Sequence, residues 1–251
     1  MNRLKEIIEG KDCFVLLGGA SLELLRQNAQ EFKELDVCWC GMNLFVPAKA
    51  HILDSIGKKF SLIFDISGIK NIIPYEKRCR IPRVARYLKE GEGLFITSNE
   101  VKRNFSLAKH PEIFDKYKDK IVFIEEIIDL DLIHNSLMAY LYLLTYYKVR
   151  RVFLFGCDGY QGKYIEKNCL LSYFCSINVK EDLEIAYDGS IYSGLPSDTN
   201  ALNNGFKQIY LDYCTNKELI PRNIYNVNPS SFITIFPRIN FETVKEILKG
   251  E

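Results

Sequence analysis

The side chains best suited to chemistry lie in one stretch, Arg150-Arg151-Val152-Phe153-Leu154-Phe155-Gly156-Cys157-Asp158-Gly159-Tyr160-Gln161-Gly162-Lys163-Tyr164. Asp158 can accept hydrogen bonds from hydroxyls, and Gly156 would let a ligand approach the backbone closely. Tyr160 and Tyr164 bring two phenol donors that could meet an anion; the same spacing also fits a turn that happens to hold two of the chain's 15 tyrosines. A second group, Gly18-Gly19-Ala20-Ser21, offers backbone N–H groups to a phosphate or nucleoside, although it lacks the full dinucleotide fingerprint. Asn43, Asp65, the pair Asn135-Ser136, and Asn226 with Ser230 complete the candidates. For Asp65, a loop-capping role is an equal alternative.

These residues need elements to hold them. Val152 to Phe155 is a continuous apolar run, the mark of a strand buried on both faces. Cys13 to Leu17, Asp36 to Cys40, Ser61 to Asp65, Gly93 to Thr97, Ile121 to Ile124 and Ile224 to Val227 read as further strands. Helices are expected over Arg3 to Ile8, from an N-cap at Ser21 to about Leu35, over Pro82 to Lys89 and Pro111 to Lys118, from Ser136 to Tyr147, over Asp198 to Tyr213, and over Phe241 to Lys249. The helix after Ser136 is apolar nearly all round and belongs in the interior. Alternating strands and helices imply a Rossmann-like α/β fold, a mostly parallel sheet covered on both faces. In such a sheet a ligand sits outside the carboxyl ends of the strands, where the candidates gather. Residues 161–196 have poor periodicity and read as a lid-like insertion in a single domain spanning 1–251.

Composition narrows the function. The 251 residues carry a formal charge of +1 with lysine and arginine dispersed, which argues against a nucleic-acid partner. The first ten residues are charged and amphipathic, unlike a signal peptide, and no apolar run reaches the roughly 18 residues that span a bilayer. The eight cysteines form no CxxC pair and, with only three histidines, no ligand cluster. Cys13, Cys38, Cys40 and Cys157 fall in apolar runs and read as reduced, which implies a cytoplasmic protein with no metal site. Asp129-Leu130-Asp131 matches a metal-binding DxD in form and reads as a solvated turn.

In these motifs the chain resembles the bacterial CMP-sialic-acid-dependent sialyltransferases of glycosyltransferase family 42. It is also similar to the related clan of flagellin-glycosylation and 6-hydroxymethylpterin pyrophosphokinase-like proteins. The family's Gly-Asn-Gly-Pro-Ser-Leu turn corresponds to Leu17-Gly18-Gly19-Ala20-Ser21-Leu22. Its second-strand asparagine corresponds to Gly41, or offset to Asn43, and Asp65 follows the pterin-kinase-like branch. Its Thr-Ser pair corresponds to Asn135-Ser136, and Ser-Gly-Ile-Asp-Phe-Tyr to Phe155-Gly156-Cys157-Asp158-Gly159-Tyr160. Its Cys-Pro-Asn-Ser corresponds to Asn228-Pro229-Ser230-Ser231.

The resemblance implies a GT-A-like domain and a metal-independent, inverting transfer of a nonulosonic sugar from a CMP-activated donor to a surface glycan acceptor. The CMP-sugar is then a substrate, and no separate cofactor is needed. Tyr160 and Tyr164 correspond to the tyrosines that hold the leaving phosphate. Peripheral attachment to the inner membrane and homo-oligomerisation stay open. The family's catalytic histidine, in a Tyr-Ile-Gly-His segment, is replaced: here the segment is Tyr192-Ser193-Gly194-Leu195, and leucine cannot take a proton. Asp198 and Asp188 flank it as alternative bases. Two other functions stand beside this one: a pyrophosphokinase-like enzyme using ATP and Mg²⁺ held by carboxylates such as Asp65 and Asp158, and a nucleotide- or glycan-binding protein with lapsed catalysis.

Overall fold

A computed structural model of the chain describes residues 2–17, 21–42, 50–66, 81–107, 112–129, 136–158, 207–219 and 223–250. Among these, the apolar runs pair as one sheet: β1 (Asp12–Leu16), β2 (Cys38–Met42), β3 (Leu62–Asp65), β4 (Leu94–Thr97), β5 (Ile121–Phe123), β6 (Arg151–Phe155) and β7 (Asn223–Asn226). Every pairing is parallel and the spatial order is β5-β4-β3-β2-β1-β6-β7. Parallel strands must cross over between pairings. Helix α1 (Asn2–Ile8) precedes the first strand; α2 (Leu22–Asn28), α3 (Ala50–Asp54), α4 (Ile81–Glu90), α5 (Asn99–Leu107), α6 (Glu112–Lys116), α7 (Ser136–Tyr146) and α8 (Lys207–Asn216) lie on the connections between strands, and α9 (Phe241–Lys249) follows the last one.

Alternation along each strand sends side chains to two separate cores. Cys13, Val15, Cys38, Cys40, Leu62, Phe64, Val152 and Leu154 face one side, beneath α1, α7 and α8. Phe14, Leu16, Trp39, Ile63, Phe95, Phe153 and Phe155 face the other, beneath α2 to α6 and α9. The fold is therefore the α/β, Rossmann-like arrangement expected, with helices on both faces. In α7 the residues Leu137 to Thr145 are all buried, and Tyr140 stacks on Phe64 with ring centroids 4.4 Å apart. The aromatic core of the opposite face centres on Phe14, whose ring meets Phe32, Trp39, Phe153 and Phe155 at 5.0–5.5 Å.

Several element bounds differ from the sequence reading. The second strand begins at Cys38 and runs through Gly41 and Met42, because Gly41 pairs with Leu16 and Ile63 in the middle of the sheet. Asp36, expected to start it, is an exposed partner of Lys11. The helix after β1 ends at Asn28 and tightens into a 3-10 turn, Ala29–Phe32, which still buries Ala29 and Phe32. Helices α3 and α5 had no counterpart in the sequence reading. A signal for α5 was present, since Ser98 is a cap residue whose Oγ accepts the N–H of Val101. Helix α8 is described only from Lys207 and runs on to Asn216.

One tight packing point yields a prediction. At Gly93 a Cβ would collide with the carbonyl oxygens of Phe60 and Ser61 and with the Tyr87 hydroxyl. Two of these are backbone atoms entering the sheet and cannot swing aside. Gly93→Ala is expected to destabilise the fold by about 1–3 kcal/mol, read as a shifted urea midpoint with an unchanged slope. A midpoint equal to wild type would refute the close approach.

Candidate functional site

In this strand order, chain order runs one way from β1 to β5 and the other way from β1 through β6 to β7. The crevice outside the carboxyl ends of β1 and β6 is thus the topological switch point, where open α/β sheets bind ligands. Two sequence candidates meet there. The Ser21 N–H donates to Asp158 Oδ2 at 2.8 Å, and the Ser21 hydroxyl donates to Asp158 Oδ1. Asn228 Nδ2 adds a third bond, to Oδ1 at 2.9 Å.

Ser21 therefore does not cap α2 as expected. Its backbone is in the right-handed helical region and its side chain makes no cap bond. It turns instead to a carboxylate 137 residues away. Asp158, expected to receive a ligand's hydroxyls, already receives three protein donors. A carboxylate has about four acceptor positions, so among the described residues one on Oδ2 is left without a donor. Its first duty is to tie Ser21, at the start of α2, to the end of β6.

Gly156 makes this approach possible. It ends β6 with φ +76°, a conformation L side chains rarely adopt. Beneath it, Asn226 and Ser231 form a fully buried pair. Asn226 Nδ2 donates to the Cys157 carbonyl at 2.8 Å and to Ser231 Oγ at 2.9 Å. Ser231 Oγ in turn reaches the carbonyls of Cys157 and Asp158 at 2.7 and 2.9 Å and accepts the Ile233 N–H. The segment after β7 is thereby locked to the segment after β6, and Asp158 is held from both sides. Asn226 Oδ1 is buried and has no protein donor among the described residues.

Burial first, and then the Asp158 charge, push the Cys157 thiol far above its ordinary range. Cys157 is a packing residue and no nucleophile. Two large apolar side chains lie half in solvent on the adjoining segments: Leu24, whose N–H bonds to Ser21 O, and Phe232, whose N–H bonds to Asp158 O at 2.7 Å.

The other sequence candidates divide. Ser230 is exposed in the Asn228 turn, its N–H bonded to Asn228 Oδ1. Its neighbour Ser231, part of the same motif but not singled out from the sequence, is the buried one. Asp65 ends β3 on the same carboxyl edge but two strands from β1; its carbonyl accepts the Thr97 hydroxyl at 2.9 Å. Ser136 opens α7. Because α7 leads into the amino end of β6, its own start lies at the carboxyl edge. Gly18, Gly19, Asn43, Asn135, Tyr160, Tyr164, Asp188 and Asp198 lie outside the described residues, as does the 161–196 insertion.

What is described is a rigid platform of hydroxyl, amide and carboxylate groups. It can position hydroxyl-bearing ligands by hydrogen bonding. Among the described residues no group of three or more His, Cys, Asp or Glu side chains could hold a metal ion, and no helix is long and apolar enough to cross a membrane. No protein-family model matches the chain, and no curated protein does.

Proposed function

We propose that the protein is a glycosyltransferase that moves a nonulosonic, sialic-acid-like sugar from a CMP-activated donor to a surface glycan acceptor, with inversion and without a metal. The observation that supports this reading is the meeting of Ser21 and Asp158 at the switch point, beside Gly156. Those residues stand in two of the motifs by which the chain resembles family 42. The Asp158 acceptor position that no described residue fills suits a ribose hydroxyl or an exocyclic amine. In this reading Tyr160 and Tyr164 donate to the departing phosphate as its charge grows, and Asp198 or Asp188 takes the acceptor's proton.

Leu195 favours a second reading, a nucleotide- or glycan-binding protein without turnover. A thermal-shift panel of CMP, UDP, GDP and ATP, each with and without Mg²⁺, tests the nucleotide site first. CMP alone is expected to stabilise the protein, by roughly 2.7 kcal/mol at 100 times its Kd. Stabilisation only by ATP with Mg²⁺ would replace the proposal with a pyrophosphokinase-like enzyme. CMP binding with no release of sugar to any acceptor would favour the second reading.

A further inference from the structure

A cluster of soft side chains lies away from the switch point, on the opposite stretch of β1 and β2. Cys13 and Cys38 are register partners in adjacent parallel strands, and Cys40 follows two residues on. All three are free, buried and on the face beneath α1 and α7. Their thiols interact with one another, and Cys40 lies against the Tyr140 phenol. Cys38 Sγ also donates to the Ile7 carbonyl at 2.8 Å, tying the sheet to the last turn of α1.

We propose that Cys13 and Cys38 form a reversible disulfide on exposure to a peroxide, and that the new bond releases α1. Adjacent strands lie about 4.7–4.9 Å apart, inside the Cα separation of about 4.4–6.8 Å that disulfides span. Cys40 is diagonal to Cys13 and pairs with Val15, so it is the poorer partner. A bond formed between two cysteines of a packed sheet, where neither strand can shift freely, is the kind that reduces readily. That is the character of a reversible disulfide rather than a structural one.

Cys38 is the attacking group. The hydrogen bond from Cys13 holds its thiol below the ordinary range against the opposing effect of burial, and the charge of Lys11 adds to this. Cys13 is held well above it. The Cys38 thiolate attacks one peroxide oxygen; the S–O bond forms, the O–O bond breaks, and hydroxide leaves. Cys13 sulfur then attacks Cys38 sulfur; the S–S bond forms, the S–O bond breaks, and the oxygen departs with the Cys13 proton as water. Two thiols lose two electrons and one peroxide becomes two waters. Access comes through α1, seven residues long and therefore marginal as a helix by itself. Once oxidised, Cys38 has no proton to donate to Ile7.

The test treats the reduced full chain with hydrogen peroxide, blocks remaining thiols with N-ethylmaleimide, and maps peptides without reduction. Amide exchange is measured on the same samples. A Cys13–Cys38 linked peptide is expected, lost with dithiothreitol, absent in Cys38→Ala and kept in Cys40→Ala. Amides of residues 2–8 are expected to exchange roughly fivefold faster after oxidation, as follows from losing one hydrogen bond. Linkage only between other cysteines, no linkage in the wild type, or linkage with unchanged exchange at 2–8 would each overturn the proposal. None of these readouts depends on the CMP reading.

Discussion

Replacing Asp12 by asparagine will lower the unfolding free energy by about 3 kcal/mol at neutral pH, the low end of what breaking a buried ion pair costs. Asp12 opens β1 and is 1% exposed. Its Oδ1 accepts Arg150 Nε at 3.0 Å and Arg151 Nε at 2.8 Å, and its Oδ2 accepts Arg151 Nη2 at 2.7 Å and Arg150 Nη2. Arg151 also donates to the Ile247 carbonyl near the end of α9, so the cluster joins β1, β6 and α9. The low end is chosen because the Arg150 side chain is 59% exposed and stays hydrated when its partner is lost. Burial alone would raise the Asp12 pKa. The hydrogen bonds from Arg151 and Arg150, with their charges, outweigh it and hold the carboxyl below its usual range. A depressed pKa stabilises the fold at every pH above the unfolded value of about 3.9, and that contribution fades as pH falls through the folded value. Urea titrations of wild type and Asp12→Asn should show a constant gap from pH 7 to about 5 that closes below about 4. A gap that persists in acid would show that the loss is not ionic.

On the proposed CMP reading, replacing Asp158 by asparagine is expected to weaken CMP binding roughly 10- to 150-fold. An amide presents one acceptor and one donor group where the carboxylate presents two acceptors. Its oxygen can keep the Ser21 N–H, but its NH₂ then faces Asn228 Nδ2, donor against donor. Hydrogen bonds to a charged group are worth about 1.5–3 kcal/mol each, and 1.4 kcal/mol is tenfold in affinity. Ser21→Ala removes one bond and leaves the N–H in place, so its effect should be smaller. Titration of both variants with CMP by calorimetry decides the matter. Wild-type affinity in Asp158→Asn would remove Asp158 from the proposed nucleotide site and leave it as a brace that holds Ser21 to the end of β6.

The sheet was largely legible because most of its strands, β1 to β4 and β6, are short runs buried on both faces, so the runs carry their own signal. Ends were harder. Gly41 looks like a strand stop, yet its pairing with Leu16 and Ile63 decides otherwise, and pairing belongs to two segments at once. The site was legible in its residue types and not in its roles. Ser21 has the local signature of a cap, and nothing nearby reveals a carboxylate 137 residues on. Ser230 and Ser231 are indistinguishable in sequence, and only the path of the chain after β7 buries the second. Arg150-Arg151 opens the stretch that the sequence reading starts from, while Asp12, one residue before the strand expected from Cys13, had no part in it. A short carboxylate buried by two longer cations leaves no trace in local pattern.

The place of β1 in the sheet also governs how the chain must assemble. β1 is central, yet Asp12 pairs with Arg151, 139 positions later. On a ribosome adding about 5–20 residues per second, roughly 7–30 s separate the two strands. During that interval β1 to β5 can pair while the Cys13-Phe14-Val15-Leu16 edge of β1 stays open, an apolar row of unmet backbone donors and acceptors. The newborn protein thus carries its aggregation hazard in what becomes the middle of the finished sheet, and the arrival of β6 closes that edge at the same moment as it brings Asp158 to Ser21.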